Sequence, residues 1–239
     1  MPSVSVIIPV FRDAEALAWT LAHTDFTGVD LIVSSTTDDD SLAALRLSRS
    51  DIVWVDAPRG RARQMNAGAA VARGDWLVFV HADTRLPPDW RRAISEAGER
   101  AGRHAIGCFR FALDSSSPFA RVIEIGVRLR VWLFRLPYGD QALFIRRDLF
   151  EDLGGYADVP IMEDVDLVRR ARQCGRLFRS RLPAVTSARR WERDGWIGRT
   201  ALHLALIALY LCGVPPARLI RLDPSRRAHP VPRGGRMSL

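Results

Sequence analysis

The first 84 residues alternate short β-branched segments with segments of helical spacing, and this alternation restricts the fold more than any other feature of the chain. Strands are predicted at residues 4–10, 29–33, 52–55 and 76–80, and helices at residues 13–23, 41–47 and 62–72. Such alternation favours a parallel sheet covered on both faces and joined by right-handed crossovers. Ligands bind beyond the carboxyl ends of the strands in sheets of this kind. The site is therefore expected at residues 9–13, 34–40, 56–63 and 81–84.

The pattern is less regular beyond residue 84. Strands are predicted at residues 107–113 and 142–145, and helices at residues 89–101, 119–134, 161–174 and 196–212. A Pro-Pro pair at 215–216 ends the last helix. The longest uncharged apolar run, residues 201–214, is shorter than the roughly 20 residues that a membrane-spanning helix needs.

Charge is distributed unevenly along the chain. The net charge is +8 and all 35 basic residues are arginine, with 3 Arg and 9 acidic residues in residues 1–58 and 32 Arg and 18 acidic residues in residues 59–239. A basic second part is suited to phosphates, anionic lipid or nucleic acid. Nucleic acid is not an expected partner, because no helix-turn-helix, RNA-recognition or zinc signature is present. Codon bias explains why the basic residues are arginine, but not where they lie.

Cysteine usage and the N-terminal sequence bear on location. The three cysteines, Cys108, Cys174 and Cys212, are far apart and show no Cys-x-x-Cys spacing, which indicates neither a disulfide framework nor a zinc site. The N-terminal residues lack the pattern of a secretory signal. These features favour a cytoplasmic location.

Four clusters of polar residues carry the chemistry. They are PVFRD at 9–13, RGRARQMNAG at 59–68, HADT at 81–84, and a late set formed by GDQ at 139–141, MEDVD at 162–166 and RRW at 189–191. Their types and order resemble the inverting nucleotide-sugar glycosyltransferases of family two, which have the GT-A fold. The resemblance spans residues 4–222. Within that family the sequence is most similar to small bacterial glycosyltransferases grouped with arsenosugar biosynthesis.

The resemblance implies an α/β, Rossmann-like GT-A fold. Its central, mostly parallel mixed sheet is flanked by helices, with amphipathic and apolar helices toward the C-terminus. It implies a single glycosyltransferase domain at residues 1–222, with a nucleotide-binding half at 1–84 and an acceptor-binding half at 85–222. Residues 223–239, rich in arginine, proline and glycine, are expected to form a flexible basic tail.

The resemblance also implies roles for two carboxylates. Asp164 matches the general base that removes a proton from the acceptor hydroxyl, as inverting transfer requires. Asp83 matches the retained carboxylate of an Asp-x-Asp motif that holds Mn²⁺ or Mg²⁺ against the donor diphosphate. Here His81 takes the first position of that motif, and a hydrogen bond from His81 to the backbone is favoured over direct metal ligation.

Further residues are implied to contact the substrates. The family's leading nucleobase-binding Asp is replaced by Ser34, so the choice of nucleotide is left open. Contacts to the nucleotide sugar are predicted for Pro9, Asp13, Ser34, Arg61, Arg63, Asn66 and Asp83. Contacts to the donor or acceptor sugar are predicted for Asp140, Gln141, Glu163, Arg190 and Trp191.

Other interpretations remain open at this point. A nucleotidyltransferase would use similar carboxylates, although no glycine-rich loop follows the first strand. A non-catalytic nucleotide-sugar-binding or membrane-surface-binding protein would fit the changes at His81 and Ser34. The helix at 119–134 is amphipathic, and Arg121, Arg128 and Arg135 recur along it every seven residues. Peripheral contact with an anionic membrane at its inner face is one hypothesis for this helix, and packing over the sheet is the other. Donor sugar, acceptor and oligomeric state are left open.

Overall fold

The computed structural model describes residues 2–223, in which a mixed sheet of eight strands runs through the molecule. The strands are β1 Val4–Pro9, β2 Asp30–Ser35, β3 Val53–Asp56, β4 Trp76–Phe79, β5 Thr84–Arg85, β6 Ala105–Asp114, β7 Leu143–Arg146 and β8 Arg176–Ser187. Their spatial order is β3-β2-β1-β4-β7-β6-β8-β5. The first four strands are mutually parallel, and β7 is antiparallel to both of its neighbours, β4 and β6. The predicted mixed α/β fold is confirmed.

Helices cover both faces of this sheet. They are α1 Ala14–His23, α2 Ala43–Ser48, α3 Arg61–Val71, α4 Trp90–Ala101, α5 Pro118–Phe134, α6 Arg147–Asp152, α7 Glu163–Cys174, α8 Arg189–Asp194, α9 Trp196–Leu211 and α10 Pro216–Leu219. On one face, Val6 and Ile8 of β1 lie in a cluster with Leu17 of α1. On the other face, Ile7 lies in a cluster with Met65 of α3. Alternate side chains of one strand thus serve both cores, as a doubly covered sheet requires.

The sequence pattern predicts most elements with small boundary errors but misses the short elements β5, α6, α8 and α10 and the long strand β8. This strand contains three exposed arginines at 176, 179 and 181 and a proline at 183, a composition atypical of a strand. Its pairing with β6 shifts register between Cys108 and Arg110, and Arg110 Nε donates to the Arg181 carbonyl at 3.2 Å. The bulge accommodates residues that local periodicity does not recognise as a strand.

Helices α5 and α9 are the amphipathic and apolar helices expected toward the C-terminus. The inner side of α5 packs on the sheet through Ala120 and Val131, and Glu124 is buried, where it accepts a hydrogen bond from the Leu113 N–H at 2.8 Å. Within residues 2–223, no helix combines the length and apolar character needed to cross a bilayer. The predicted tail lies outside the described residues except for Asp223, which is buried.

Candidate active site

The ends of β1 and β4 meet the start of α8 at one edge of the sheet. Arg189 of α8 donates to the Asp13 carboxylate that follows β1. The next residue, Arg190, places Nη2 3.8 Å from Oδ2 of Asp83, beyond the end of β4. Asp83 also accepts the Ser187 N–H through its backbone carbonyl at 2.9 Å. Arg189 and Arg190 thus hold the start of α8 against the acidic residues that follow β1 and β4.

Asp164 lies in the first turn of α7 and faces the turn at residues 139–141. Its Oδ2 accepts the Gly139 N–H at 2.6 Å, and its Oδ1 accepts the Val165 N–H at 2.8 Å. Burial and the neighbouring Glu163 carboxylate raise the pKa of Asp164, against the lowering effects of Arg61 and these two N–H groups. A raised pKa strengthens a carboxylate as a base, provided that it is ionised at the working pH.

Gly139 allows this close approach because it has no side chain. A Cβ at this position would lie 2.7 Å from Nε2 of His81 and 3.3 Å from Oδ2 of Asp164. Both distances are too short for unstrained contact, so a side chain would displace the imidazole or the carboxylate. The glycine therefore brings the turn, the strand-end histidine and the α7 carboxylate together.

Arg61, the first residue of α3, links the two halves of the site. Its Nε donates to the carboxylate of Glu163, which is 1% exposed. Its Nη1 lies 3.3 Å from Nε2 of His81. A guanidinium only donates, so Nε2 is the acceptor and the proton of a neutral His81 ring is on Nδ1. The carboxylates of Glu163 and Asp164 raise the pKa of Arg61 despite its burial, and the guanidinium stays charged.

Asp140 adds a third carboxylate to the cleft that contains Asp83 and Asp164. Burial raises its pKa to about 6, with further raising by Asp164 and Asp83 and lowering by Arg130 and Arg61. Its Oδ1 is buried and has no hydrogen-bond partner among the described residues. Unpaired buried carboxylate oxygen is costly, so this atom is suited to a cation or a substrate donor group.

The described part of the chain contains no group of three His, Cys, Asp or Glu side chains arranged to hold a metal ion by themselves. Mg²⁺ sites in phosphate-binding enzymes often use one or two carboxylates, with water and substrate phosphate as the other ligands. Asp83 and the orphaned Oδ1 of Asp140, in one cleft, fit that smaller ligand set. A divalent cation shared with a bound phosphate is therefore compatible with these residues.

Four predicted site residues do not line this cleft, and three of them have their polar groups engaged elsewhere in the fold. The fourth, Ser34, is fully buried, its Oγ has no hydrogen-bond partner among the described residues, and a Cβ at Gly68 would lie 2.7 Å from that Oγ. Arg63 forms a two-pronged ion pair with Asp158. Asn66 exchanges two hydrogen bonds, of 2.8 and 2.9 Å, with the Tyr156 backbone. Gln141, 2% exposed, donates to the Phe109 carbonyl at 3.0 Å.

Of the remaining predicted residues, Arg61, Asp83, Asp140, Asp164, Arg190 and Trp191 line the cleft, whereas Pro9, Asp13 and Glu163 do not. Pro9 is buried at the end of β1, paired with Ser34 of β2. Trp191 is 6% exposed and lines the cleft, packed edge-on against His203 of α9 with ring centroids 6.3 Å apart. Glu163 holds Arg61 and is too buried to offer a free surface to a sugar.

Several cleft residues were not predicted from the sequence. Tyr138 and Thr186 line the wall near Asp140, and Arg199, His203 and Asp223 line the side formed by α9 and the segment after it. Burial and the nearby Arg199 lower the pKa of His203 to about 4. The His203 imidazole is therefore neutral at pH 7, although it lies near Arg199. The signal that could have found the α9 residues is the pair Arg199 and His203, one helical turn apart in an otherwise apolar helix.

The fold and the site together define a class of protein. A parallel half-sheet continued by an antiparallel strand, with carboxylates at the junction, is the GT-A arrangement of glycosyltransferases. The chain belongs to this class at the level of sequence as well: glycosyl transferase family 2 matches residues 5–157, and the protein is a member of that family.

Individual relatives agree with this assignment. The succinoglycan biosynthesis protein ExoO of Rhizobium meliloti (strain 1021) is 27% identical over 109 residues, which cover 43% of this chain and 31% of ExoO. The chain thus spans less than a third of that curated relative. Two structures of S. aureus TarS residues 1–349 share the fold. One, in complex with UDP-GlcNAc, has a TM-score of 0.56 at 14% identity, and the match covers 77% of this chain and 58% of the TarS 1–349 chain. The other has a TM-score of 0.59 at 12% identity, and the match covers 92% of this chain and 69% of the TarS 1–349 chain.

Proposed function

We propose that the protein transfers a sugar, with inversion, from a nucleoside-diphosphate sugar to an acceptor hydroxyl. The observation that carries this proposal is the buried Asp164 carboxylate, fixed at 2.6 Å by the Gly139 N–H in a cleft with Asp83 and Asp140. Inverting transfer needs one base for the acceptor proton and stabilisation of the leaving diphosphate. Asp164 is the base, and its proton acceptance leaves the acceptor oxygen free to attack the sugar carbon.

Asp83 is the proposed ligand of Mn²⁺ or Mg²⁺, with Asp140 beside it. The cation, when bound, would neutralise charge on the departing diphosphate. Arg190 is proposed to contact the same phosphates directly, which is supported by its position 3.8 Å from Asp83. Arg61 holds Glu163 and His81 in place and keeps a fixed positive charge near the base.

The donor is proposed to be a uridine-type nucleotide sugar, because the fold is shared with TarS, whose structure contains UDP-GlcNAc. Ser34 lies too deep to replace a nucleobase-binding carboxylate. Asp13 stands closer to the surface but is engaged by Arg189. The similarity to arsenosugar-type enzymes rests on the motifs alone. The free state of all three cysteines favours a reducing, cytoplasmic location.

The decisive experiment compares two acidic residues of the same helix. Asp164→Asn is expected to lower transfer by about 10²–10⁴-fold. Asp166→Asn is the matched control, because Asp166 pairs with Arg170 at 2.7 Å along the surface of α7 and is not in the cleft. Full transfer activity of Asp164→Asn would refute the base assignment.

A donor screen tests the nucleotide and the metal. Thermal shifts are measured with UDP-, GDP- and dTDP-sugars, with and without Mn²⁺, for the natural protein and for Asp83→Asn. We expect a Mn²⁺-dependent shift with one donor that Asp83→Asn loses. Donor binding without hydrolysis or transfer on any donor would instead indicate a non-catalytic binding protein.

A further inference from the structure

The outer face of α5 is apolar and uncovered. Val122, Ile125, Leu129 and Trp132 follow each other at spacings of three and four residues and are 52–66% exposed. Phe119, Leu133 and Phe134 extend this stripe at both ends and are also more than half exposed. Contiguous exposed apolar surface of this kind marks an interaction site rather than ordinary surface. These seven residues are called the α5 stripe.

Helix α9 contacts α5 and also has exposed apolar side chains. Ile197, Leu204 and Leu211, spaced by seven residues, are 74%, 56% and 48% exposed. Between Ala201 and Val214 the chain has no charged residue. Only the side of α9 that contains the buried Leu206 packs against the rest of the protein. Two neighbouring helices therefore present apolar side chains to the surroundings.

A basic groove borders the α5 stripe. It has a volume of about 700 Å³ and contains five arginines: Arg100, Arg110, Arg128, Arg179 and Arg181. Among residues 2–223, none of the five forms an ion pair with a carboxylate. The carboxylate in the groove, Glu124, is already engaged by Arg121 at 3.0 Å and by the Leu113 N–H. The groove is therefore strongly positive.

The stripe and the groove share one edge of α5. At 100° per residue, Arg121 and Arg128 lie on the same side of the helix, next to Trp132. Trp132 belongs to the stripe and also lines the groove. A partner on this surface must therefore present apolar groups and negative charge side by side.

We propose that α5 and α9 dock on an anionic lipid bilayer. The α5 stripe enters the headgroup and acyl boundary, and the groove arginines bind headgroup phosphates. A second copy of the chain is a poorer occupant, since each copy carries a net charge of +8 and would place unpaired arginines against arginines. An anionic bilayer provides both the apolar depth and the phosphate charge.

Vesicle flotation at low salt tests the proposal with the full chain. Phosphatidylcholine vesicles with 30% phosphatidylglycerol are compared with phosphatidylcholine alone. The natural protein is expected to bind the anionic vesicles at least tenfold more, and 0.5 M NaCl is expected to weaken that binding. The double substitution Ile125→Glu and Leu129→Glu should lower binding at least tenfold. So should Arg128→Ala combined with Arg181→Ala.

Leu47→Glu is the matched control, because Leu47 on α2 is 89% exposed and lies outside this surface. It should bind vesicles like the natural protein. All exchanged side chains are exposed, so each variant is expected to melt within a few degrees of the natural protein, which circular dichroism checks. Flotation does not use sugar transfer, so its failure is separate from failure of the proposed enzyme function.

Four results would overturn the proposal. The first is an absence of anionic vesicle binding at low salt. The second is binding that Ile125→Glu with Leu129→Glu leaves unchanged. The third is a dimer in light scattering that the same double variant dissociates, without vesicle binding, which would assign the surface to a second copy. Binding of free glycerol phosphate without vesicle binding would assign the groove to a soluble anion and likewise reject the membrane.

Discussion

The ion pair between Arg61 and Glu163 joins α3 to α7 across 102 residues of sequence, and its removal is expected to destabilise the protein strongly. Glu163 is 1% exposed, whereas the Arg61 side chain is 27% exposed. Arg61→Ala leaves the buried carboxylate without its guanidinium. Breaking a buried pair in this way costs about 3–5 kcal/mol, and partial access of water to Arg61 favours the lower end. At about 2–4 °C per kcal/mol for a domain of this size, a loss of about 3 kcal/mol corresponds to a fall in Tm of roughly 6–12 °C.

Urea unfolding and thermal melting at pH 7 measure this cost. Arg61→Ala, Glu163→Gln and the double variant form a cycle, in which the double variant should lose less stability than the two single losses combined. Arg92→Ala is the control. Its pair with Glu96 is surface-exposed and spaced i,i+4, so its loss should be below about 0.5 kcal/mol. If Arg61→Ala costs no more than Arg92→Ala, the pair does not hold α7 against α3 and the reasoning fails.

Three further predictions concern the cleft and its supports. Gly139→Ala places a Cβ 2.7 Å from His81 Nε2; we expect a folded protein with transfer reduced about tenfold or more, and unchanged kinetics would contradict this. For His203, burial and Arg199 hold the folded pKa at about 4, below the unfolded value of about 6.5. The unfolded chain therefore takes up the proton first, and stability is lost as pH falls from about 6.5 toward 4. His203→Phe should flatten that slope in urea unfolding at pH 7 and pH 5, and equal slopes would argue against it. Asn66→Ala removes both hydrogen bonds to the Tyr156 backbone and should cost about 1–3 kcal/mol, which an unchanged melting temperature would disprove.

Local patterns predicted the first half of the fold because each element there has its own signal. The residues of β1 are all buried, and all except Ser5 are β-branched or apolar; α1 buries Ala16, Leu17, Thr20 and Leu21 at helical spacing. In contrast, β8 is identified only by its partners. Its arginines at 176, 179 and 181 lie exposed along the strand, and the strand depends on pairing with β6, 71 residues earlier, as the Arg110 to Arg181 hydrogen bond illustrates. The periodicity of a single sequence carries no information about which distant strand a segment pairs with.

The site residues likewise fall into two groups: those that could be predicted from the sequence and those whose contacts depend on the tertiary fold. Asp83 and Asp164 were predicted from the resemblance to family-two glycosyltransferases, at a strand end and a helix start that the sequence pattern also predicts, and the structure brings both into one cleft. Arg189 pairs with Asp13 from 176 positions away, a contact that no local pattern encodes. Asn66 and Arg63 were predicted as ligand contacts from their motif. Their actual partners, Tyr156 and Asp158, lie in the loop after α6, whose approach to α3 is a property of the tertiary fold.

Four non-glycine residues among those described have positive φ values, and three of them lie beside predicted site residues. Arg135, with a φ of 52°, ends α5. The other three, Arg12, Ala142 and Met162, have φ values of 51°, 45° and 70°. Each precedes or follows a predicted site residue directly, and left-handed backbone costs a non-glycine residue on the order of 1–2 kcal/mol. Met162 and Ala142 are buried, so packing against the core fixes their conformations. The fold thus uses core contacts to hold strained backbone beside the start of α7 and the 139–141 turn. These core contacts support the turn and the helix start that bring the Gly139 N–H to 2.6 Å from the Asp164 carboxylate.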